Sequence, residues 1–375
     1  MRIVYVTDAF AVCGGIERVL TDKMIYLEEH YGYDVTLLTI YQGPHSFPFK
    51  IDSGIQHVDL NMKLNQQYNF WGLYRLYKRW KLKNEVKRRL LSSVSEVQPD
   101  VIVCVKLDCM SFLLEVMQNS SLIFESHTLC HAERIEASSF LRKIHMWILK
   151  RYLRKVKGII ALTEGDAKDW RHINHNVCVI PNVVHLNDTN SFSSCTSNKV
   201  VFVGRFSKQK DIGCLLDIWM KVFQRNPEWS LHIYGEVCDV KDNMYVRVQS
   251  LKNLGVVYHT PVKDNMIEEY KKYSILLLSS LFEPFGLVLP EAMSCGLPVV
   301  SFDCPYGPAD IVTDGLDGFL IKNRDVDTFA DRVCQLIEDQ SLRQRMGQAA
   351  IKSAQRYRVD RIMPKWKKLF EEMKR

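Results

Sequence analysis

Short apolar runs alternate with longer stretches of helical periodicity from the first residues of this chain. The run RIVYVT, residues 2–7, precedes a segment over 16–30 whose apolar positions recur every three or four residues, and a second apolar run covers 34–40. Further strand-length runs lie at 101–105, 122–124, 158–162 and 177–180. Strand and helix in alternation predict a mainly parallel, doubly wound α/β sheet. Over 182–198 the pattern lapses into Ser, Asn and Thr with little to bury, which predicts a linker. A second series then begins, with strands at 199–203, 230–234, 256–258, 275–278 and 298–302 and helices at 212–224 and 327–339. The expectation is two domains of one architecture, residues 1–182 and 199–356, joined by residues 183–198. Open sheets of this kind hold ligands beyond the carboxyl ends of their strands, so the strand-to-helix loops are where chemistry is sought.

Bulk composition narrows the class. The 375 residues are 47% hydrophobic and 25% charged, which is globular composition with material for two cores. The N-terminus enters a strand at once, with no charged-then-apolar leader, and no apolar run approaches the ~18 residues of a membrane helix. Eleven scattered cysteines without a Cys-x-x-Cys pair read as reduced thiols in a cytoplasmic protein and argue against a zinc site.

The net charge of +7 matters through its placement. Residues 1–180 hold 24 Lys and Arg, and 15 of these fall within 75–89 and 142–157. Those segments interleave Tyr77, Trp80, Trp147 and Tyr152 with the cations. One reading is a peripheral contact with an anionic membrane surface; the other is a pair of amphipathic helices with solvated basic faces. No nucleic acid module accompanies the charge.

Three loops carry candidate chemistry. In DAFAVCGGIERVL, Gly14 and Gly15 follow the first strand and open a helix, a place for close approach of an anion or for a tight turn alone. The G-x-G-x-x-G fingerprint of a dinucleotide site is absent. In VVFVGRFSKQKDI, a strand delivers Gly204, Arg205, Lys208 and Lys210 to a loop, cations suited to a pyrophosphate. In EPFGLVLPEAMSCGLPVV, residues 283–300, Glu283 precedes a helix expected over 286–295 and Glu291 lies within it. Two carboxylates so spaced suit the paired hydroxyls of one ligand, or else a helix cap and a dipole-complementing residue.

Together these elements resemble the retaining glycosyltransferases of family 4, with their E-x7-E signature, paired N-terminal glycines and Gly-Arg…Lys loop in the same order. IPNVV around Asn182 resembles the family's interdomain element with Val183 in place of glycine, and GPADIVTDGLDGFLI, residues 307–321, resembles its acidic Gly loop. The resemblance implies a GT-B architecture, two Rossmann-like domains facing across a cleft. It implies an acceptor-binding N-terminal domain to which the last helix, about 357–375, returns, and a nucleotide-sugar-binding C-terminal domain.

By the same resemblance, Arg205 and Lys210 hold the donor pyrophosphate. Glu283 takes the sugar hydroxyls among the amides of Phe285, Gly286 and Leu287, Glu291 takes the ribose, and Gly14 and Gly15 approach the phosphates. His127, after the strand at 122–124, matches a family histidine that hydrogen-bonds the sugar. The implied reaction moves a hexose from a nucleotide diphosphate sugar to an acceptor hydroxyl with retention, on a surface polysaccharide or a lipid-linked glycan. No cofactor and no metal are expected, since the only Asp-x-Asp, Asp325 to Asp327, reads as a helix start with Asp327 as N-cap. The alternatives are a non-catalytic sugar-nucleotide-binding protein and a nucleotide-sugar epimerase.

Overall fold

The structure, a computed structural model, describes residues 1–11, 14–51, 54–63, 71–114, 120–131, 140–237, 243–259 and 265–374. The chain divides into two compact units, residues 1–183 with 360–375, and residues 184–359.

The first unit is built on a seven-stranded sheet of β1 (Arg2–Thr7), β2 (Asp34–Thr39), β3 (Gln56–Asp59), β4 (Val101–Cys104), β5 (Ser121–Glu125), β6 (Gly158–Ala161) and β7 (Val177–Val179). Their order across the sheet is β3-β2-β1-β4-β5-β6-β7, and every pairing is parallel. The central strands are buried on both faces, which is why they read as unbroken apolar runs. The second unit holds β8 (Lys199–Val203), β9 (Ser230–Tyr234), β10 (Val256–His259), β11 (Ile275–Leu278), β12 (Val299–Asp303) and β13 (Gly318–Lys322). These are again all parallel, in the order β10-β9-β8-β11-β12-β13. Each sheet reverses direction of winding beside its first strand, between β1 and β4 in one and between β8 and β11 in the other.

Three expectations are corrected. Of residues 183–198, read as a linker, all but Val183 are laid down on the second unit. The Asn187 amide donates to Ser294 Oγ at 3.0 Å, the Ser193 amide to the Cys295 carbonyl at 2.8 Å, and Arg343 Nε to the Cys195 carbonyl at 2.8 Å. The Ser- and Asn-rich composition serves hydrogen bonding rather than freedom. The N-cap of the helix Val326–Glu338 is Asp325, whose carboxylate accepts from the Thr328 amide at 3.1 Å, while Asp327 pairs with Lys221 at 2.8 Å. The helix expected from 286 spans Val288–Ser294, because Gly286 at φ +95° is in a conformation no helix uses.

Candidate functional site

In the second unit, the loops after β8 and β11 meet at the point where the winding reverses. They are tied by backbone and side chain: the Leu281 amide donates to the Gln209 carbonyl at 2.8 Å, Gln209 Nε2 to the Phe282 carbonyl at 3.0 Å, and Ser279 Oγ to the Lys210 carbonyl at 2.9 Å. Lys210 and Glu283, 73 residues apart, thereby face one another, with Lys210 Nζ 2.5 Å from Glu283 Oε1. Glu283 is buried, and Ser280 Oγ donates to the same oxygen at 2.6 Å. The carboxylate caps no helix; its backbone is fixed instead. The Glu283 amide donates to the Pro305 carbonyl at 2.7 Å, and its carbonyl accepts from the Tyr306 and Gly307 amides, each at 2.9 Å.

The remaining residues of this loop fall in place around that pair. Phe285 is buried with its ring edge-on to Tyr357 at 5.3 Å, and Gly286 and Leu287 lead into the helix. Glu291 lies in the first turn, where Tyr270 OH donates to its Oε2 at 3.3 Å. Arg205 is exposed immediately beyond β8. Two glycines given no role of their own from the sequence, Gly235 and the first residue of the 307–321 stretch, let backbones approach here. A Cβ on Gly235 would stand 2.1 Å from the Gly204 carbonyl oxygen, and one on Gly307 would stand 1.8 Å from that of Phe285.

In the first unit, Gly14 is the N-cap of the helix Gly15–Tyr31, the first helix after β1, and its extended backbone leaves the opening amides of that helix free of a side-chain cap. His127 follows β5, with its side chain almost fully buried and Nε2 3.1 Å from Glu125 Oε1, close enough to feel the charge but not aligned as a directed hydrogen bond. Glu125 itself grips Lys23, whose Nζ is 2.5 Å from both carboxylate oxygens in a pair only 1% exposed on each side. Burial pushes the Glu125 carboxyl up, but Lys23 and His127 outweigh it and hold it at about 2. The Lys23 ammonium is lowered by its own burial, against the pull of Glu125. It also stands 4.0 Å from the ring centre of Trp366 on the C-terminal helix Val359–Lys374. Nothing in sequence spacing signals this pair, although a carboxylate two residues before a candidate site histidine is a hint of a partner.

Comparison with known proteins sets these loops in a family. Residues 13–188 match the model described as Glycosyltransferase Family 4, and residues 188–353 that of Glycosyl transferases group 1. The amylovoran biosynthesis glycosyltransferase AmsD of Erwinia amylovora is 24% identical over 97% of this chain and 98% of its own length. The poly(ribitol-phosphate) alpha-N-acetylglucosaminyltransferase of Staphylococcus aureus is 28% identical over 64% of this chain, which spans about half of that protein, 49%. Among solved structures, S. aureus TarM in a complex with UDP superposes with TM-score 0.79 at 17% identity, covering 98% of this chain and 99% of TarM. Anabaena HepE bound to UDP-glucose gives 0.73 at 16%, covering 99% and 100%.

Proposed function

The chain belongs to the group 1 glycosyltransferases of GT-B fold, and on that premise we propose that it transfers a hexose, with retention, from a nucleotide diphosphate sugar to an acceptor hydroxyl. The acceptor in this reading is a growing surface polysaccharide or a lipid-linked glycan, at the cytoplasmic face of a membrane. The relatives named for amylovoran biosynthesis and for transfer of N-acetylglucosamine to poly(ribitol-phosphate) support that class of acceptor.

The observation that carries the proposal is the pairing of the half-buried Lys210 with the buried Glu283 at the point of reversal between β8 and β11. A pair whose carboxylate is buried, and further held by Ser280, is a poor means of gaining stability, since desolvation of the carboxylate offsets much of the attraction. It is a good means of keeping an ammonium and a carboxylate ready for a ligand that needs both. Lys210, with Arg205 beside it, meets the pyrophosphate and stabilises charge on the departing nucleotide. Glu283 keeps its bond from Ser280 and offers its other lone pairs to sugar hydroxyls, flanked by the amides of Phe285, Gly286 and Leu287. Glu291 receives the ribose hydroxyls. Gly14 and Gly15 bring the amides of a helix start to the donor phosphates, and His127 hydrogen-bonds the sugar.

Retention is read as a single-face displacement in which the leaving phosphate oxygen accepts the acceptor proton as the glycosidic bond forms and the bond to phosphate breaks. Glu283 then serves in positioning, not as nucleophile. We read the reaction as metal-independent because two cations already sit on the donor loop.

Thermal unfolding against a panel of nucleotide sugars, with chelator present, tests this. One donor at saturation raises stability by ~2–4 kcal/mol, and Glu291→Ala diminishes the gain. Stabilisation by none of them overturns the donor site, and stabilisation only without chelator overturns metal independence.

A further inference from the structure

The two basic segments of the first unit present their aromatic residues to solvent. On the helix Gly72–Val97, Val86, Leu90 and Val94 are buried, and the first described side chain to touch the core is the half-buried Leu82. Before it, none of the described side chains over 71–81 is buried, so about 15 Å of helix runs past the core. Trp71 is 85% exposed and Trp80 62%. Tyr74, Tyr77 and Trp80, one turn apart, stack in a ladder with ring centres 6.3 and 6.4 Å apart.

The helix Phe140–Leu153 is amphipathic in the reverse sense as well. Leu149 and Leu153 are buried, while Phe140, Ile144, Trp147 and Ile148, on the opposite face, are exposed, Phe140 at 76% and Trp147 at 58%. An apolar stripe at helical spacing normally faces a core. Here a second stripe faces out.

Both helices pack on the same face of the sheet. Each touches the short helix Met110–Leu113 lying between them, and Val86, Leu90, Val94 and Leu153 share one core. The aromatic rows therefore belong to one side of the unit. With them come eight Lys and Arg against two Glu on the first helix, and four Lys and Arg with no acid on the second. Arg151 lies 5.0 Å from the Trp147 ring centre, and Lys78 Nζ 5.2 Å from that of Tyr74.

We infer that this face docks on the surface of an anionic lipid bilayer. Trp and Tyr settle at headgroup depth, the Lys and Arg stems extend from apolar ground to phosphate, and each cation adds attraction to anionic lipid. A second copy of the chain is a poor occupant, because a self-complementary interface would set this cationic face against itself. No described helix is long and apolar enough to cross a membrane, so the contact is one of lying on the surface.

The test uses the full chain and vesicles of phosphatidylglycerol mixed equally with phosphatidylcholine, against phosphatidylcholine alone. Neither donor nor acceptor is present, so the result is independent of the proposed transfer reaction. The chain is expected to sediment with the anionic vesicles, to be released by high salt in part, and to show blue-shifted tryptophan fluorescence when bound. Neutralising Lys78, Arg79 and Arg151 to Gln weakens binding about fivefold per charge, on the order of a hundredfold together. Trp71→Ser, Trp80→Ser and Trp147→Ser together remove most of the fluorescence shift and leave the melting temperature unchanged. Absence of sedimentation with anionic vesicles overturns the inference, as does binding that neither set of substitutions weakens. A dimer in solution that the same substitutions dissociate, without vesicle binding, overturns it in favour of a protein partner.

Discussion

Gly307 has no room for a methyl group, and the reason lies in the loop that carries Glu283 rather than in its own turn. Its amide bonds the Glu283 carbonyl at 2.9 Å, and its Cα faces the Phe285 carbonyl so closely that a Cβ would stand 1.8 Å from the oxygen. Backbone cannot rotate aside as a side chain can, so Gly307→Ala must push the 283–286 loop away. We expect a loss of about 1–3 kcal/mol and a weaker response to sugar nucleotides, both read from thermal melts with and without ligand; unchanged values would show the loop to be free of this contact. Lys23 makes a second case. Lys23→Met leaves the Glu125 carboxylate buried without its counter-ion, a change that costs about 3–5 kcal/mol. Adding Glu125→Gln should restore part of the loss in urea denaturation, since a neutral amide needs no such partner. The Glu125 carboxyl is held below its ordinary 4.5, so its stabilisation is present above that value and fades as pH falls toward about 2. Acid titration of the Lys23→Met protein should lack that component.

At the scale of elements, the buried parallel strands were legible and the contacts they create were not. β1, β4, β6, β8, β11 and β12 announce themselves because a strand covered on both faces must be apolar throughout. β3 did not, since QHVD at the sheet edge is exposed to half-exposed and alternates weakly. In the candidate site, Glu283 stood out in sequence for its place before a Gly-containing helix start, but its partner Lys210 lies on another loop. The roles of Gly235 and Gly307 depend on which backbone passes them, and no periodicity encodes that. The same holds for a polar cluster between strands. His232 on β9 bonds His259 on β10 through ring nitrogens 2.8 Å apart, and Tyr273, just before β11, reaches both His232 at 3.3 Å and Tyr234 at 2.8 Å. Burial, then the neighbouring His259 and Lys199, push the His232 imidazole down to about 4 from its ordinary 6.5. Unfolding lets it take up a proton, so its contribution to the stability of the second unit is full above 6.5 and is lost as pH falls from there to about 4. His232→Gln should flatten that limb in melts recorded from neutral to acid pH, and an undiminished slope would place the acid sensitivity elsewhere.

At the scale of the molecule, the chain finishes its first unit only with its last helix. Val359–Lys374 carries Ile362, Met363, Trp366, Leu369, Phe370 and Met373 to the interior, so a single helix buries six large apolar side chains. Its end is tied down by Ser121 Oγ at 2.6 Å and Lys157 Nζ at 2.7 Å, both donating to the Met373 carbonyl, with Lys374 3.5 Å from Asp100. Trp366 lies against Lys23, so the helix also closes the environment of the buried Lys23–Glu125 pair beside His127. Removing it exposes apolar surface worth about 1.5–3 kcal/mol for each large side chain, in sum comparable with the whole stability of a typical domain. A chain ending at Arg358 should therefore lose protection against amide exchange along β5 and β6 while β8, β11 and β12 keep theirs. The donor contacts proposed for Arg205, Lys210, Glu283 and Glu291, all in the second unit, should persist after the truncation, so donor binding weakens to what they alone supply and transfer is lost. Protection retained in β5 and β6 would mean that the first 183 residues fold without the helix, and would make Trp366 a late addition to a site already formed.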